Sequence, residues 1–486
     1  MARYSLLTFG CQMNVHDSER MHEVLRGAGH VEVADADAAE VVVLNTCSVR
    51  EKAEQKLLSE VGRLAKRKRS EPALVVVVAG CVAQQEGERL LSRERAIDIV
   101  IGPDNIAELP RLLEDVALGG PPTVRTVFDV DSPRFLTATS VAGAAPTAFV
   151  TIMKGCDERC SFCIVPTTRG PERYRPSGEV VAEIAALVAS GVREVTLLGQ
   201  TVNSYADPSR ALPPAPGADP SDPDESEFAA LLRHVAAEVP ALARLRYTSP
   251  HPRHLTPSLI RAHAELALLA RHLHLPVQSG SDRQLKRMIR RYTRAEYVDR
   301  VRALEAAVPG LTMSTDVIVG FPGETEEDFE ETLSMVRELD FKGLFAFKYS
   351  PRPGTPALKL GDDVSEDVKS DRLARLFEVS EALLGAHLES LVGTTPRVLV
   401  EGPGRDPKTY SGRSDRNAIV HLDGADDLEL TGSIVDVVVT RAYKHSVAGE
   451  LTPAARAAAA PRRPAPKPDR RRLTVVAAEE PEACPS

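Results

Sequence analysis

Residues 154–163 read K-G-C-D-E-R-C-S-F-C. Cys156, Cys160 and Cys163 stand in a C-x-x-x-C-x-x-C pattern directly after the apolar run 149–153. Three soft thiolates this close together can hold three irons of a four-iron, four-sulfur cluster. The fourth iron is then left without a ligand from the motif, and an open coordination position is what a bound small molecule can use. The plainer alternatives are a zinc site and a disulfide. A closed zinc site wants four ligands, and no fourth Cys or His lies in the local loop. A disulfide strands the third thiol. The spacing favours the cluster.

Three more cysteines recur at matching places in the first 130 residues. Cys11 follows Phe9-Gly10, Cys47 follows Asn45-Thr46, and Cys81 follows Ala79-Gly80. Strand-like runs at 4–9, 41–45, 74–79 and 97–101 alternate with helical patterns at 17–28, 49–69, 84–93 and 105–117. That alternation predicts a parallel sheet covered on both faces. Each of the three cysteines then lies just past the carboxyl end of a strand, where parallel sheets bind ligands and neighbouring strand ends lie close. Three separate packed thiols are the bland alternative. The repeated placement favours convergence on one site, with a second iron-sulfur cluster as the expected occupant.

The remaining elements position these thiols. A Gly-, Pro-, Ala- and Thr-rich stretch, 119–147, predicts a linker. Six strand-like runs follow at 149–153, 194–198, 244–248, 272–276, 312–319 and 343–348, with helical patterns between them. Six strand-helix units are too few for an eight-unit barrel and suit a partial one. Barrel chemistry sits at the carboxyl ends of strands, and the triad follows the first strand as that rule requires. Residues 207–227 are rich in Pro, Ala and Asp and read as a flexible acidic loop. From 396 to 445 short strands separated by Gly, Asp and Pro predict a small β-barrel of the kind that binds oligonucleotides. It carries Arg397, Arg405, Lys408, Arg413, Arg416, Arg441 and Lys444, with Tyr410 and Tyr443 as stacking surfaces. Lys66-Arg67-Lys68-Arg69 at the end of one helix offers phosphate contacts or complements the helix dipole. The stretch 447–486, which includes Cys484, is Ala-, Pro- and Arg-rich and is expected to be disordered. The expected boundaries are 1–130, a linker at 131–147, a barrel at 148–390, a small β-barrel at 391–446 and a tail at 447–486.

The 486-residue chain has a net charge of -9, so nucleic acid has to be met by local basic patches rather than a global field. The start of the chain has no signal-peptide core, and no apolar run is long enough for a membrane span. A cytoplasmic protein is expected, in which spaced cysteines serve as ligands rather than bridges.

Both triads and the terminal β-barrel together resemble the methylthiotransferase family of radical S-adenosylmethionine enzymes. The resemblance runs from about residue 4 to 445. It rests on TFGCQMN (8–14), NTCSVRE (45–51), GCVAQ (80–84), LGQTVNSY (198–205), SPHP (249–252), LPVQSGSD (275–282), DVIVGFPGE (316–324) and SPRPGTP (350–356). It implies an N-terminal α/β domain, a partial (β/α)6 barrel and a C-terminal TRAM β-barrel. It also implies two [4Fe-4S] clusters, one on Cys156, Cys160 and Cys163 and an auxiliary one on Cys11, Cys47 and Cys81. In that family the first cluster binds S-adenosylmethionine through its open iron and cleaves it to a 5′-deoxyadenosyl radical, and the auxiliary cluster supplies sulfur. Gly199 and Gln200 match the family's cofactor-amine motif. Gln278 and Asp316, at later strand ends, are candidates for cofactor or substrate binding, and all four also read as turn or capping residues. The implied reaction adds sulfur and a methyl group at C2 of N6-(dimethylallyl)adenosine beside the anticodon of tRNA. The alternative targets are threonylcarbamoyl-adenosine in tRNA and an aspartate of a ribosomal protein. The implied partners are the tRNA anticodon loop, an electron donor such as flavodoxin or ferredoxin, and a sulfur or cluster supply system. A monomer is expected.

Overall fold

The computed structural model describes residues 1–48, 51–131, 133–137, 145–213, 225–406 and 408–461. Six strands open the chain: β1 (Arg3–Phe9), β2 (Val31–Glu32), β3 (Val41–Thr46), β4 (Val75–Gly80), β5 (Ile99–Ile101) and β6 (Thr123–Arg125). They form one sheet in the order β2-β1-β3-β4-β5-β6, parallel throughout. The helices are α1 (Gln12–Gly27), α2 (Glu51–Ser70), α3 (Cys81–Glu86), α4 (Glu88–Arg93) and α5 (Leu109–Ala117). Alternate residues of the central strands face opposite layers. Val42, Leu44, Val76 and Val78 pack with Leu57, Val61 and Leu64 of α2. Val41, Val43 and Val77 pack with Met21 and Leu25 of α1 and with Leu109, Leu112 and Leu113 of α5. Being buried on both faces is why these strands read as continuous apolar runs.

Three local expectations change. The first helix begins at Gln12, five residues before the expected start, with Cys11 as its N-cap residue. A cysteine is not a usual capping signal, so the pattern alone pointed to Asp17. The expected helix 84–93 is two helices, because Gly87 turns left-handed at φ 49° between them. Part of the expected linker, Thr123–Arg125, is an edge strand beside β5.

The second part carries β7 (Thr147–Thr151), β8 (Met153–Lys154), β9 (Arg173–Tyr174), β10 (Glu194–Leu198), β11 (Arg244–Tyr247), β12 (His272–His274), β13 (Thr312–Val319) and β14 (Gly343–Lys348). Its helices are α6 (Val165–Arg169), α7 (Ser177–Ala189), α8 (Glu227–Glu238), α9 (Pro257–Glu265), α10 (Asp282–Arg287), α11 (Arg294–Ala307), α12 (Glu326–Glu338) and α13 (Glu366–Ser390). Two parallel sheets, β11-β10-β7 and β12-β13-β14, meet through a parallel bridge between Leu245 and Leu269. The six strands therefore follow one another in space as in sequence, as a partial barrel. The antiparallel pair β8-β9 closes the base of the cysteine loop. The acidic stretch is anchored at its start: Asp207 is buried and accepts from the Ser177 amide and hydroxyl. Residues 214–224 lie outside the described residues, as does Cys484.

The third part is a closed barrel of β15 (Arg397–Pro403), β16 (Tyr410–Ser414), β17 (Ile419–Leu422), β19 (Ile434–Ala442) and β20 (Val447–Leu451), with β18 (Leu428–Glu429) outside it. The strand β20 corrects the expectation that the chain leaves folded structure at 447. It pairs parallel with β17 and antiparallel with β19 and so closes the barrel. Its V-A-G-E-L sequence is a weak strand signal, because small residues are selected here. A Cβ on Gly449 would lie 2.4 Å from the Val438 carbonyl oxygen. Helix α14 (Pro453–Ala458) and β21 (Ala460–Pro461), paired with β18, follow it. Tyr410 is also corrected as a stacking surface: it is buried and its hydroxyl donates to the Leu428 carbonyl. Among the described residues no helix is long and apolar enough to cross a membrane.

Ending the chain after Ser446 removes the closing strand and exposes the interior facing Val447. Losing the burial of two or three apolar side chains costs roughly 3–6 kcal/mol, a large share of a small domain's stability. The expected outcome is loss of the small barrel's cooperative transition in thermal unfolding, with the transition kept in a chain ended after Pro461.

Candidate active site

The loop from Gly155 to Cys163 is held at several points along its length. Gly155 takes φ 78°, and a Cβ there would lie 1.9 Å from the Pro171 carbonyl oxygen. The Cys156 amide donates to the Gly170 carbonyl, and the Ser161 amide donates to the Met288 carbonyl. These bonds turn three side chains toward one another. Cys156 Sγ lies 2.8 Å from Thr201 Oγ1, and Arg290 Nη1 donates to Cys160 Sγ at 3.3 Å. The Val165 amide donates to Cys163 Sγ at 3.5 Å. Burial pushes the Cys156 thiol up to about 11. Burial and the neighbouring Cys160 push Cys163 up to about 12. Thiols in that state become thiolates when a cation shares the site, which is the condition an iron cluster meets. Three sulfurs from one loop, two on buried cysteines and one on the half-buried Cys163, are a donor set that suits iron.

The first-domain cysteines sit at three adjacent strand ends. Cys11 follows β1, Cys47 follows β3 and Cys81 follows β4, in the sheet order β1-β3-β4. Two buried asparagines lock the ends together. Asn45 Nδ2 donates to the Asn14 carbonyl and to Ser18 Oγ, both at 2.8 Å, and Asn14 Nδ2 donates to Asn45 Oδ1 at 3.3 Å. Contact with Cys47 is the main cause that lowers the Cys11 thiol to about 6. Glycine is required beside the sulfurs: a Cβ on Gly10 would lie 2.7 Å from Cys47 Cβ, and one on Gly80 2.3 Å from Asn45 Oδ1.

Cys81 receives a hydrogen bond from Arg169 Nε at 3.3 Å. Arg169 also pairs with Asp17, at 2.5 Å from Nη2 and 3.4 Å from Nη1. All three residues are buried. Arg169 ends α6, and α6 begins two residues after Cys163. One short helix thus leads from the barrel thiols to the first-domain thiols, on the order of 10 Å along its axis.

Of the four other expected site residues, Gly199, Gln200 and Gln278 lie just past strand ends, whereas Asp316 is corrected: it stands inside β13, paired with Phe345 of β14, three residues before the strand ends. Gly199 has no room for a side chain, since a Cβ would lie 2.5 Å from Met153 Cγ. Gln200 Oε1 and Nε2 are both buried without a partner, a state that calls for a polar ligand. Gln278 adopts φ 75°, a left-handed conformation rare outside glycine. Its amide and carbonyl bond Asp316 and Ile318 of β13, continuing the pairing past β12. The Asp316 carboxylate lies 3.4 Å from His274 Nε2. The sequence patterns assign no role to Arg169, Asp17, Thr201, Arg290, Asn14 or Asn45. Thr201, Asn14 and Asn45 lie inside the motif stretches, so adjacency to the cysteines was the available signal. The basic run at the end of α2 is partly consumed by structure: Arg67 bonds the Ala36 and Ala39 carbonyls and Lys68 pairs with Asp98.

A partial barrel with a three-thiol loop after its first strand is the architecture of a radical S-adenosylmethionine protein. Family models agree: Uncharacterized protein family UPF0004 matches 3–102, the Radical SAM superfamily 150–336 and the TRAM domain 389–452. The chain is 71% identical to the tRNA-2-methylthio-N(6)-dimethylallyladenosine synthase of Sorangium cellulosum (strain So ce56), over 99% of this chain and 100% of that protein. It is 44% identical to the like-named protein of Burkholderia vietnamiensis (strain G4 / LMG 22486), over 91% of this chain and 96% of that one. Among solved structures it resembles the radical S-adenosylmethionine methyltransferase TsrM from Kitasatospora setae. That match has a TM-score of 0.53 at 14% identity and covers 83% of this chain and 78% of that one, a likeness of fold. The chain belongs to the radical S-adenosylmethionine methylthiotransferases, in the family of the tRNA-2-methylthio-N(6)-dimethylallyladenosine synthases. A protein of this superfamily works with a [4Fe-4S] cluster and S-adenosylmethionine.

The buried ion pair is open to test. Arg169→Met leaves Asp17 buried without its partner, at a cost of about 3–5 kcal/mol. Adding Asp17→Asn removes the stranded charge and should recover most of that loss. Denaturant unfolding of the two variants measures both values, and equal stability of the single and double variants contradicts the coupling.

Proposed function

We propose that this chain adds a methylthio group at C2 of N6-(dimethylallyl)adenosine beside the anticodon of tRNA. The observation that carries the reading is the helix α6, with a barrel thiol at its start and, at its end, an arginine bonded to a first-domain thiol. A reaction that activates a carbon at one centre and delivers sulfur from another needs the two held close and in fixed order. Cys156, Cys160 and Cys163 would hold one [4Fe-4S] cluster, and Cys11, Cys47 and Cys81 a second, auxiliary one. When bound, the first cluster supplies the electron that cleaves S-adenosylmethionine, and the second supplies sulfur.

The chain's own residues do the rest. Thr201 and Arg290 hold two of the barrel sulfurs from outside the loop. Gln200, with both amide atoms free, would bind the polar end of the cofactor, with Gln278 past the end of β12 and Asp316 within β13 as further candidates. Burial pushes the Cys81 thiol up, so its negative charge would form on ligating the cluster; Arg169 would balance it there while Asp17 fixes the guanidinium's direction. Burial of Cys47, Cys81, Cys156 and Cys160 would help keep water from the reacting carbon.

The substrate adenosine lies in a single-stranded loop, where bases can be extruded and stacked. Tyr443 suits that role: it is 43% exposed, and the Arg441 guanidinium lies 4.8 Å over its ring. We assign tRNA affinity to this small barrel and chemistry to the other two parts, with domains near 1–130, 148–390 and from 391 onward. A flavodoxin- or ferredoxin-type donor would supply electrons and a cluster-assembly system the sulfur, to a monomer in the cytoplasm.

Nucleoside analysis of tRNA from a strain lacking this chain tests the reading. The methylthio-dimethylallyl nucleoside should vanish, its unthiolated precursor should accumulate, and the gene in trans should restore it. An unchanged nucleoside profile rejects the assignment.

Anaerobic reconstitution should load about eight irons and eight sulfides per chain. Replacing Cys11, Cys47 and Cys81 with Ala should remove about half of the iron and stop methylthiolation, while 5′-deoxyadenosine still forms. Continued methylthiolation over several turnovers by that variant, checked for fold by circular dichroism, places the sulfur donor elsewhere.

A further inference from the structure

One cluster of polar side chains near the barrel thiols, two of them buried, has atoms without partners. Glu158 lies in the loop between Cys156 and Cys160. His251 and His254 lie in the loop after β11. A carboxylate oxygen and one nitrogen from each ring lie within 4.8 Å of one another. Two histidines and a carboxylate are a common set for a divalent metal.

The hydrogen bonds point away from a metal. The Arg253 backbone amide donates to His251 Nδ1 at 3.3 Å. The ring proton of the neutral imidazole therefore sits on Nε2, which has no lone pair left for a cation. Burial, with the Arg290 guanidinium nearby, brings His251 down to about 2, so the ring stays neutral. His251 Nε2 is then a buried donor without an acceptor, and Glu158 Oε2 is a buried acceptor without a donor. Glu158 Oε1 is already used, accepting from His254 Nε2 at 3.2 Å.

The site is built rather than incidental. His251 is 5% exposed. Asn203 clamps its backbone in both directions: the His251 amide donates to Asn203 Oδ1 at 2.7 Å, and Asn203 Nδ2 donates to the His251 carbonyl at 3.0 Å. The ring stands edge-on to Tyr292 at 5.7 Å. Tyr292 Oη accepts from Arg290 Nε at 2.9 Å, and the same arginine reaches Cys160 Sγ. The pair thus sits at the carboxyl edge of the barrel, two side chains from a barrel thiol. Ser249, at the entry to its loop, is left-handed at φ 60°, a strain that packing around a site can hold.

A lone N–H donor and a lone carboxylate acceptor on two residues of one cluster are satisfied together by a group that accepts from one and donates to the other. A hydroxyl does both. An ammonium cannot accept, and a carboxylate cannot donate. We propose that His251 Nε2–H and the Glu158 carboxylate bind one ribose hydroxyl, and that neither residue ligates a metal. The inference rests on the function proposed above, which brings two riboses to this edge: that of S-adenosylmethionine and that of the target nucleotide.

Equilibrium binding to the reconstituted full chain, without reductant so that nothing turns over, separates the cases. One arm compares S-adenosylmethionine with its 2′-deoxy and 3′-deoxy analogues. The other compares an anticodon stem-loop RNA with the same RNA carrying 2′-deoxyribose at the target adenosine. A hydrogen bond to a charged group predicts a loss of about tenfold or more when the hydroxyl is removed. His251→Phe keeps the ring packed against Tyr292, so it should lose a similar factor with the hydroxylated ligand and nothing more with the deoxy one. Loss in the first arm assigns the hydroxyl to the cofactor, and loss in the second assigns it to the nucleotide. Equal affinities in the wild-type chain across both arms overturn the proposal and leave a water between the two side chains. A stoichiometric metal beyond the cluster iron, present in wild type and absent from His251→Phe, overturns it in favour of a cation. If the wild-type chain binds neither S-adenosylmethionine nor the stem-loop, the function proposed above fails, and this inference with it.

Discussion

A cation held in a dry place sets the relation between the two thiol-bearing parts. The Arg169 guanidinium meets Asp17 of α1 and Cys81 of α3 while its backbone ends α6 of the barrel. Removing it leaves a carboxylate and a sulfur facing each other with nothing between. The surrounding contacts are of the same kind. Lys154 and Arg173 both pair with Asp104 and Asp129, and Thr151 Oγ1 lies 3.3 Å from a nitrogen of His16. A joint made of directional bonds accepts one orientation, whereas an apolar joint accepts several. Buried ion pairs add little net stability over well-packed apolar groups, so orientation is the better reason for their presence here.

The carboxyl edge of the barrel is stiffened in the same way, loop to loop. Asn203 ties the loop after β10 to the loop after β11 through two bonds with His251. Gln278 ties the segment after β12 to β13 through its own backbone. The cysteine loop is pinned to the α10 region by Ser161. Polar side chains at this edge are thus spent on one another, which makes the few left without partners informative.

Much of this was legible in the sequence, for reasons that differ by element. The runs 194–198, 312–319 and 343–348 match β10, β13 and β14, because each is a short apolar run with turn residues or polar helices on both sides. The cysteines stood out for two reasons: Cys11, Cys47 and Cys81 each follow a strand end, and Cys156, Cys160 and Cys163 share one tight spacing. What stayed hidden depends on contacts distant in sequence. Arg169 lies 88 residues from the sulfur it bonds and 152 from its carboxylate, and no periodicity reports such a pairing. Strand β20 was missed because barrel closure selects small residues there, and small residues resemble a tail. Tyr410 looked like a stacking surface because the alternation along β16 does not reveal which face of a closed barrel points inward.

The placement of Arg169 has a consequence for biosynthesis. Domains fold from the N-terminus as the chain is made, and all six strands of the first sheet lie within residues 3–125. That sheet can assemble on the ribosome while the arginine that completes the surroundings of Cys81 is still untranslated. Until then Asp17 is a carboxylate on an open face and Cys81 is accessible at a strand end. The small barrel matures later still, because its closing strand ends at Leu451. The order of translation therefore leaves a window in which the first-domain thiols are assembled but not yet covered.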